Sequence, residues 1–146
     1  MKSDFNLYFN YYLDQLEHEI KLYDDEAALW VTTGDTKNSA ANLVLHIIGN
    51  LNYFIGTALG NTGYKRDRDS EFEIQNISKS ELIERIEHTR QLLSSVIPHI
   101  NNLTDPFPEG FWKDGGTIHN QLLKLLSHLA YHAGQVNYHR RSIITN

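Results

Sequence analysis

The chain has 146 residues, enough for one domain with a continuous core and too few for two ordinary ones. Its 18 acidic and 13 basic residues leave a net charge of −5, which gives no general attraction to nucleic acid or to an anionic membrane surface. With no cysteine in the sequence, disulfides, thiolate ligands and a cysteine nucleophile are excluded, so a metal site must use nitrogen and oxygen donors.

No run of about 20 apolar residues stands out, and the opening Met1-Lys2-Ser3-Asp4-Phe5-Asn6 lacks the apolar stretch of a signal peptide. A soluble cytoplasmic protein is the expectation. Phe5, Phe9, Tyr12, Leu16, Ile20, Tyr23, Ala27 and Trp30 recur in steps of three and four, which predicts one long first helix ending before Thr32-Thr33-Gly34. A second helix starts at Asn38-Ser39, both good caps, and runs through Leu43, Ile47, Leu51, Phe54 and Ala58 toward Gly60. The connection over 61–76 is longer than a bundle turn requires. At roughly 3.3 Å per residue it reaches about 50 Å, enough to return along the bundle and leave the second and third helices parallel.

Ser78-Lys79-Ser80-Glu81 is a capping box, and Ile77 with Leu82 forms the matching staple at the start of a third helix. Its stripe is Leu82, Ile86, Thr89, Leu93, Val96 and Ile100, with Pro98 ending or bending it. After a loop rich in Asn, Pro and Gly, Gly115-Gly116-Thr117 introduces a fourth helix with Ile118, Leu122, Leu125, Leu129, His132 and Val136 on its stripe. No strand-like alternation competes with these helices. The expected fold is therefore all-α, a single four-helix bundle over residues 1–146, up-down-down-up with a long crossover between helices two and three.

His128-Leu129-Ala130-Tyr131-His132 places two imidazoles four residues apart inside a helical pattern, where both rings share a face and can converge on one ion. Spacing alone is weak evidence, and a third donor is needed. His46 lies beside the core stripe of helix two and is the best placed of the other histidines. His18 and His88 follow charged residues, His99 adjoins Pro98, and His119 lies at a helix start, so these read as surface positions. His139 shares a face with His132 but lies about 10.5 Å farther along the axis, too far to bind the same ion. The candidate ligands are thus His46, His128 and His132 on a divalent ion, zinc or nickel, with positions left for water or substrate. Gln135, one turn beyond His132, is placed to orient a ligand.

These residues resemble the DinB/YfiT-like superfamily of four-helix metalloproteins over essentially the whole chain. Members supply one metal histidine from helix two and an H-x-x-x-H pair from helix four, often followed by Gly-Gln; here the matching residues are His46, His128 and His132, then Gly134 and Gln135. The resemblance also implies the up-down-down-up topology and a homodimer. A narrower resemblance is to a branch of that superfamily with no assigned reaction. It rests on Gly49-Asn50 after His46 and on Arg66-Asp67-Arg68-Asp69-Ser70-Glu71-Phe72-Glu73. Characterised members use low-molecular-weight thiols as S-transferases or thiol-dependent isomerases. The resemblance therefore implies transfer of a bacillithiol-type or related thiol to a small electrophile, a chemistry compatible with a metal that lowers a thiol's pKa.

Arg66 and Arg68 are candidates to bind the carboxylates of such a thiol, since a guanidinium takes a carboxylate bidentately. Alternatively they pair with Asp67, Asp69, Glu71 or Glu73 and fasten the crossover, as mixed charge clusters generally do. Tyr53 and Tyr131 either line a pocket or pack. Tyr8, Tyr11 and Tyr12 exceed one stripe and suit a dimer interface or the mouth of a site. A zincin peptidase is disfavoured because no glutamate follows His128. Hydrolysis by another base, and a noncatalytic metal- or ligand-binding bundle linked to stress, are the other two readings.

Overall fold

The computed structural model describes residues 1–143, so the last three residues of the expected 1–146 domain lie outside the described residues. The helices are α1 (Lys2–Lys21), α2 (Ala40–Gly60), a short α3 (Arg68–Glu73), α4 (Lys79–Val96) and α5 (Ile118–Ile143). Among the described residues there is no strand, only an isolated bridge between Pro106 and Thr117.

Cross-helix pairs give the topology. Phe5 meets His119 near the starts of α1 and α5, and Tyr23, just past the end of α1, bonds His139 near the end of α5, so these two helices are parallel. Arg90 of α4 pairs with Asp14 of α1, while Lys79, at the other end of α4, donates to the Tyr23 carbonyl, making α1 and α4 antiparallel. Asn52 donates to Thr89, and Gly60 lies against Val96, so α2 and α4 run the same way. The result is the expected up-down-down-up bundle, with the long crossover between its parallel middle helices.

The first helix is shorter than its apolar spacing predicts. It stops at Lys21, and Glu26–Trp30 forms a separate 3-10 turn. Asp25 explains the break: its carboxylate accepts from the Ala27 amide at 2.9 Å and starts the turn as a cap, a local bond that competes with continued helix. Leu29, rather than Ala27, then enters the core.

From Ala40 to Leu51 every residue of α2 except Ile48 is buried, because the other helices and the crossover enclose it. The helix widens into a π turn at Asn52–Thr57 before ending at Gly60. With a mean hydropathy of 1.3 it is long and apolar enough to cross a bilayer, which corrects the reading that no such run exists; 67 % of that stretch is buried within the bundle. The crossover is partly helical. Asp67 caps α3 by accepting from the Ser70 amide, and Asn42 of α2 donates to the carbonyls of Glu71 and Ile74, at 3.0 and 2.9 Å.

Ser78 caps α4 through the Glu81 amide, as its sequence predicts, and Leu82, Ile86, Thr89 and Leu93 face inward. Pro98 falls in a 3-10 turn, Ile97–His99, that ends the helix. Ser39 is the working cap of α2, accepting from the Asn42 amide while its hydroxyl donates to Asn42 Oδ1. Replacing Ser39 with Ala should cost about 1 kcal/mol or somewhat more, since the cap is buried. Urea unfolding of the variant checks this, with an unchanged midpoint as the contrary result.

Candidate metal centre

The antiparallel crossing of α2 and α5 brings His46 against the His128–His132 pair. Nε2 of His128 lies 3.0 Å from Nε2 of His46 and 3.0 Å from Nε2 of His132. All three donor atoms lie within 4.8 Å of one another, and His46 is buried while the other two are half-buried. Metal–nitrogen bonds of about 2.0 to 2.1 Å at tetrahedral angles put donor nitrogens roughly 3.3 Å apart, so the cluster is close to the size of such a coordination face.

The outer ring nitrogens argue in the same direction. His46 Nδ1–H donates to Glu71 Oε1 at 3.0 Å, and His132 Nδ1–H donates to Gln135 Oε1 at 2.7 Å. A neutral imidazole has one N–H, so both rings have used it outward and present only lone pairs at Nε2. His128 has one N–H at most and cannot satisfy both neighbours. A divalent cation at the centre of the three lone pairs would resolve that deficit, and His46, His128 and His132 are the residues that could hold it.

Burial and the surrounding charges disfavour protonation of His128 and His132. His128 is lowered to about 4 by burial, reinforced by His132, His46, Arg66 and Arg68. Burial also lowers His132, with His46 adding to the effect and the Gln135 bond partly opposing it. Burial alone would raise the Glu71 carboxyl, but bonds from His46 and Arg66 and the Arg66 charge outweigh it and hold the group below its ordinary value.

Glu71, which the sequence offers only as a partner for Arg66 or Arg68, orients His46 of α2. It is 5 % exposed, with Oε1 on His46 and both oxygens on Arg66, whose Nε and Nη2 approach to 2.9 Å. Gly49, one turn after His46, makes the approach possible: a Cβ there would fall 1.8 Å from Glu71 Oε2. Phe72 packs its ring 4.9 Å from that of His46. The signals available in the sequence were the Gly49 position, three residues after His46 on the same face, and an acidic residue on a crossover long enough to return.

Arg66 follows the loop-fastening alternative, committed to Glu71 with Nη2 3.4 Å from His46 Nδ1. Its guanidinium also lies over Phe54, which stacks on Trp112 at 4.1 Å, with the Lys124 ammonium over the far side of the pair. Arg68 is exposed, its guanidinium 5.4 Å over Phe72 beside the centre. Gln135 sits where its spacing predicts and extends the network by donating to the Tyr131 hydroxyl at 3.1 Å. Tyr53 packs on Phe54 and Phe111. His139 stands apart, accepting a hydrogen bond from the Tyr23 hydroxyl at Nδ1 and donating from Nε2 to the Val31 carbonyl. His18, His88 and His99 are exposed and His119 packs on Phe5, so none of these joins the cluster.

Two outcomes follow from this geometry. Gly49→Ala and Glu71→Gln should each weaken zinc binding by about 10- to 100-fold while the protein stays helical, because both disturb the hold on His46; competition with a chromophoric chelator reads the affinity, and wild-type affinity in both variants would show that Glu71 does not orient His46. In the metal-free protein His128 has a folded value below its unfolded 6.5, so the unfolded state binds more protons between 6.5 and about 4. Its contribution to stability is present above that window and lost as pH falls through it. Denaturation midpoints of His128→Gln should therefore fall less than those of wild type over pH 6.5 to 4, and parallel curves would contradict the assignment.

None of the curated proteins matches this sequence. The model of a family described as a protein of unknown function, DUF1572, matches residues 3–146, nearly the whole chain, and the protein belongs to that family.

Proposed function

We propose that the protein is a divalent-metal-dependent enzyme of the DinB-like superfamily that transfers a low-molecular-weight thiol, bacillithiol or a relative, to a small electrophile. The observation that carries this reading is the convergence of three Nε2 lone pairs from His46, His128 and His132, two of them held by outward bonds from Nδ1. When bound, zinc or nickel lowers the pKa of a coordinated thiol and keeps the sulfur in its nucleophilic form.

The chain's own residues prepare the ground for that step. Glu71 and Gln135 fix the tautomers of His46 and His132, so neither ring must shed a proton to bind an ion. Arg66 keeps the Glu71 carboxylate ionised and in place, and Arg68, exposed beside Phe72, is the free guanidinium for an acidic group of the thiol. The absence of cysteine leaves no side-chain thiol to compete. Hydrolysis is the weaker reading because the carboxylate beside the centre, Glu71, has both oxygens engaged and is a poor base for water. We place the protein in the cytoplasm, where small thiols are kept reduced. We also expect a homodimer, for which Tyr8 and Tyr11 of α1, each 50 % exposed, offer aromatic surface.

His132→Ala should abolish both zinc uptake and transfer of bacillithiol to monochlorobimane while helix content is retained. Metal content by mass spectrometry, circular dichroism and the fluorescence of the bimane product measure the three. Transfer that persists in the metal-free variant would overturn the mechanism, and full zinc occupancy without transfer to any electrophile would favour a noncatalytic metal-binding bundle.

A further inference from the structure

A cleft of about 760 Å³ opens where the start of α2 meets the end of α5, with the loop before α2 as its third wall. Its volume lies within the ~300 to 1,000 Å³ usual for small-molecule sites. His132 and Gln135 form the wall it shares with the metal centre, and Tyr131 extends that wall through its bond from Gln135. The lining is mainly apolar, with Leu43 on one side and Tyr131 and Tyr138 on the other.

The two tyrosines are 64 % and 72 % exposed, a large aromatic surface to leave in water beside a pocket. Charge is distributed unevenly. The chain carries −5 overall, yet the described residues lining the cleft include Lys37 and no aspartate or glutamate. Apolar surface from Leu43, Tyr131 and Tyr138, set among neutral polar groups such as Thr36 and Asn38 with one ammonium and no carboxylate, complements a molecule with an apolar, flat body and an anionic group.

We propose that this cleft binds an amphipathic small-molecule acid, its apolar body between Leu43 and the rings of Tyr131 and Tyr138, its acidic group on Lys37, and its other end against His132. Its role as the electrophile's site rests on the thiol-transfer reading. Arg68 and Phe72 lie on the crossover side of the same histidine cluster, so the thiol and the electrophile approach the centre from different walls.

Fluorescence titration of the full chain with 8-anilinonaphthalene-1-sulfonate, a flat apolar anion, tests the assignment, alongside N-phenyl-1-naphthylamine, which has a similar body without the sulfonate. Wild type should show saturable binding of both probes. Tyr138→Ala should weaken both by about tenfold, Lys37→Ala should weaken only the sulfonate by a similar factor, and Lys37→Arg should restore it. Substitutions in the separate apolar groove between α1 and α5, Tyr8→Ala and Leu123→Ala, should change neither. Non-saturable binding, wild-type affinity in Tyr138→Ala and Lys37→Ala, or losses confined to the Tyr8 and Leu123 variants would overturn the proposal. Zinc content measured on the same samples separates the two ideas: a protein that takes up no zinc but shows the predicted variant effects sinks the metal-centre reading and supports the cleft, whereas zinc-loaded protein without probe binding sinks the cleft alone.

Discussion

The hydrogen bond from His46 to the Glu71 carboxylate joins the crossover to the core helix, and the arrangement of the centre depends on it. A buried carboxylate costs several kcal/mol unless its charge and lone pairs are matched. Here His46 and the two nitrogens of Arg66 supply that match, and Asn42 secures the backbone around Glu71 from the adjoining turn of α2. The same contacts dock α3 and fix which nitrogen of His46 faces α5. Docking of the crossover and orientation of the His46 ring therefore rest on the same contacts.

Topology explains why the partner comes from so far along the chain. In an up-down-up-down bundle a short turn would link the second and third long helices, and nothing would pass back over His46. The up-down-down-up order requires a return path, and the return path carries Arg66, Glu71 and Phe72 past the middle of α2. On the other side, the antiparallel crossing of α2 and α5 sets His46 opposite two successive turns of α5, where the His128–His132 spacing meets it. The stack from Arg66 through Phe54 and Trp112 to Lys124 ties the loop before α5 into the same region.

Much of this was legible in the sequence because it follows from periodicity and caps. The stripes of α4 and α5 follow from spacing, the Ser78 cap from its motif and the parallel middle helices from connection length, whereas the choice of His46 to meet the His128–His132 pair rests on its place beside the core stripe and on the family resemblance. The exclusion of His139 holds for the reason given, axial distance, although its bonds to Tyr23 and Val31 could not be read from spacing. The extent of α1 was misread because Phe5 to Trp30 keeps a helical rhythm across Asp25, whose side chain caps a new turn instead. Glu71 was hidden for a different reason. Its role is set by the three-dimensional course of the crossover and by the missing side chain at Gly49, and neither is expressed in the apolar pattern. Arg66 and Arg68 look equivalent as text, but two positions on a short helix entry send one onto a buried carboxylate and the other to the surface.

The separation of the two helices along the chain has a further consequence. An ion seated on His46 and His128 would link positions 82 residues apart, more than half the chain, in a protein that has no cysteine for any other covalent-strength tether. Closing a loop of that length restricts the unfolded ensemble by an amount that chain-entropy arguments put at about 4 to 5 kcal/mol for a disulfide. An ion so bound would act as a reversible staple on a bundle that folds without it, adding stability in step with its free concentration.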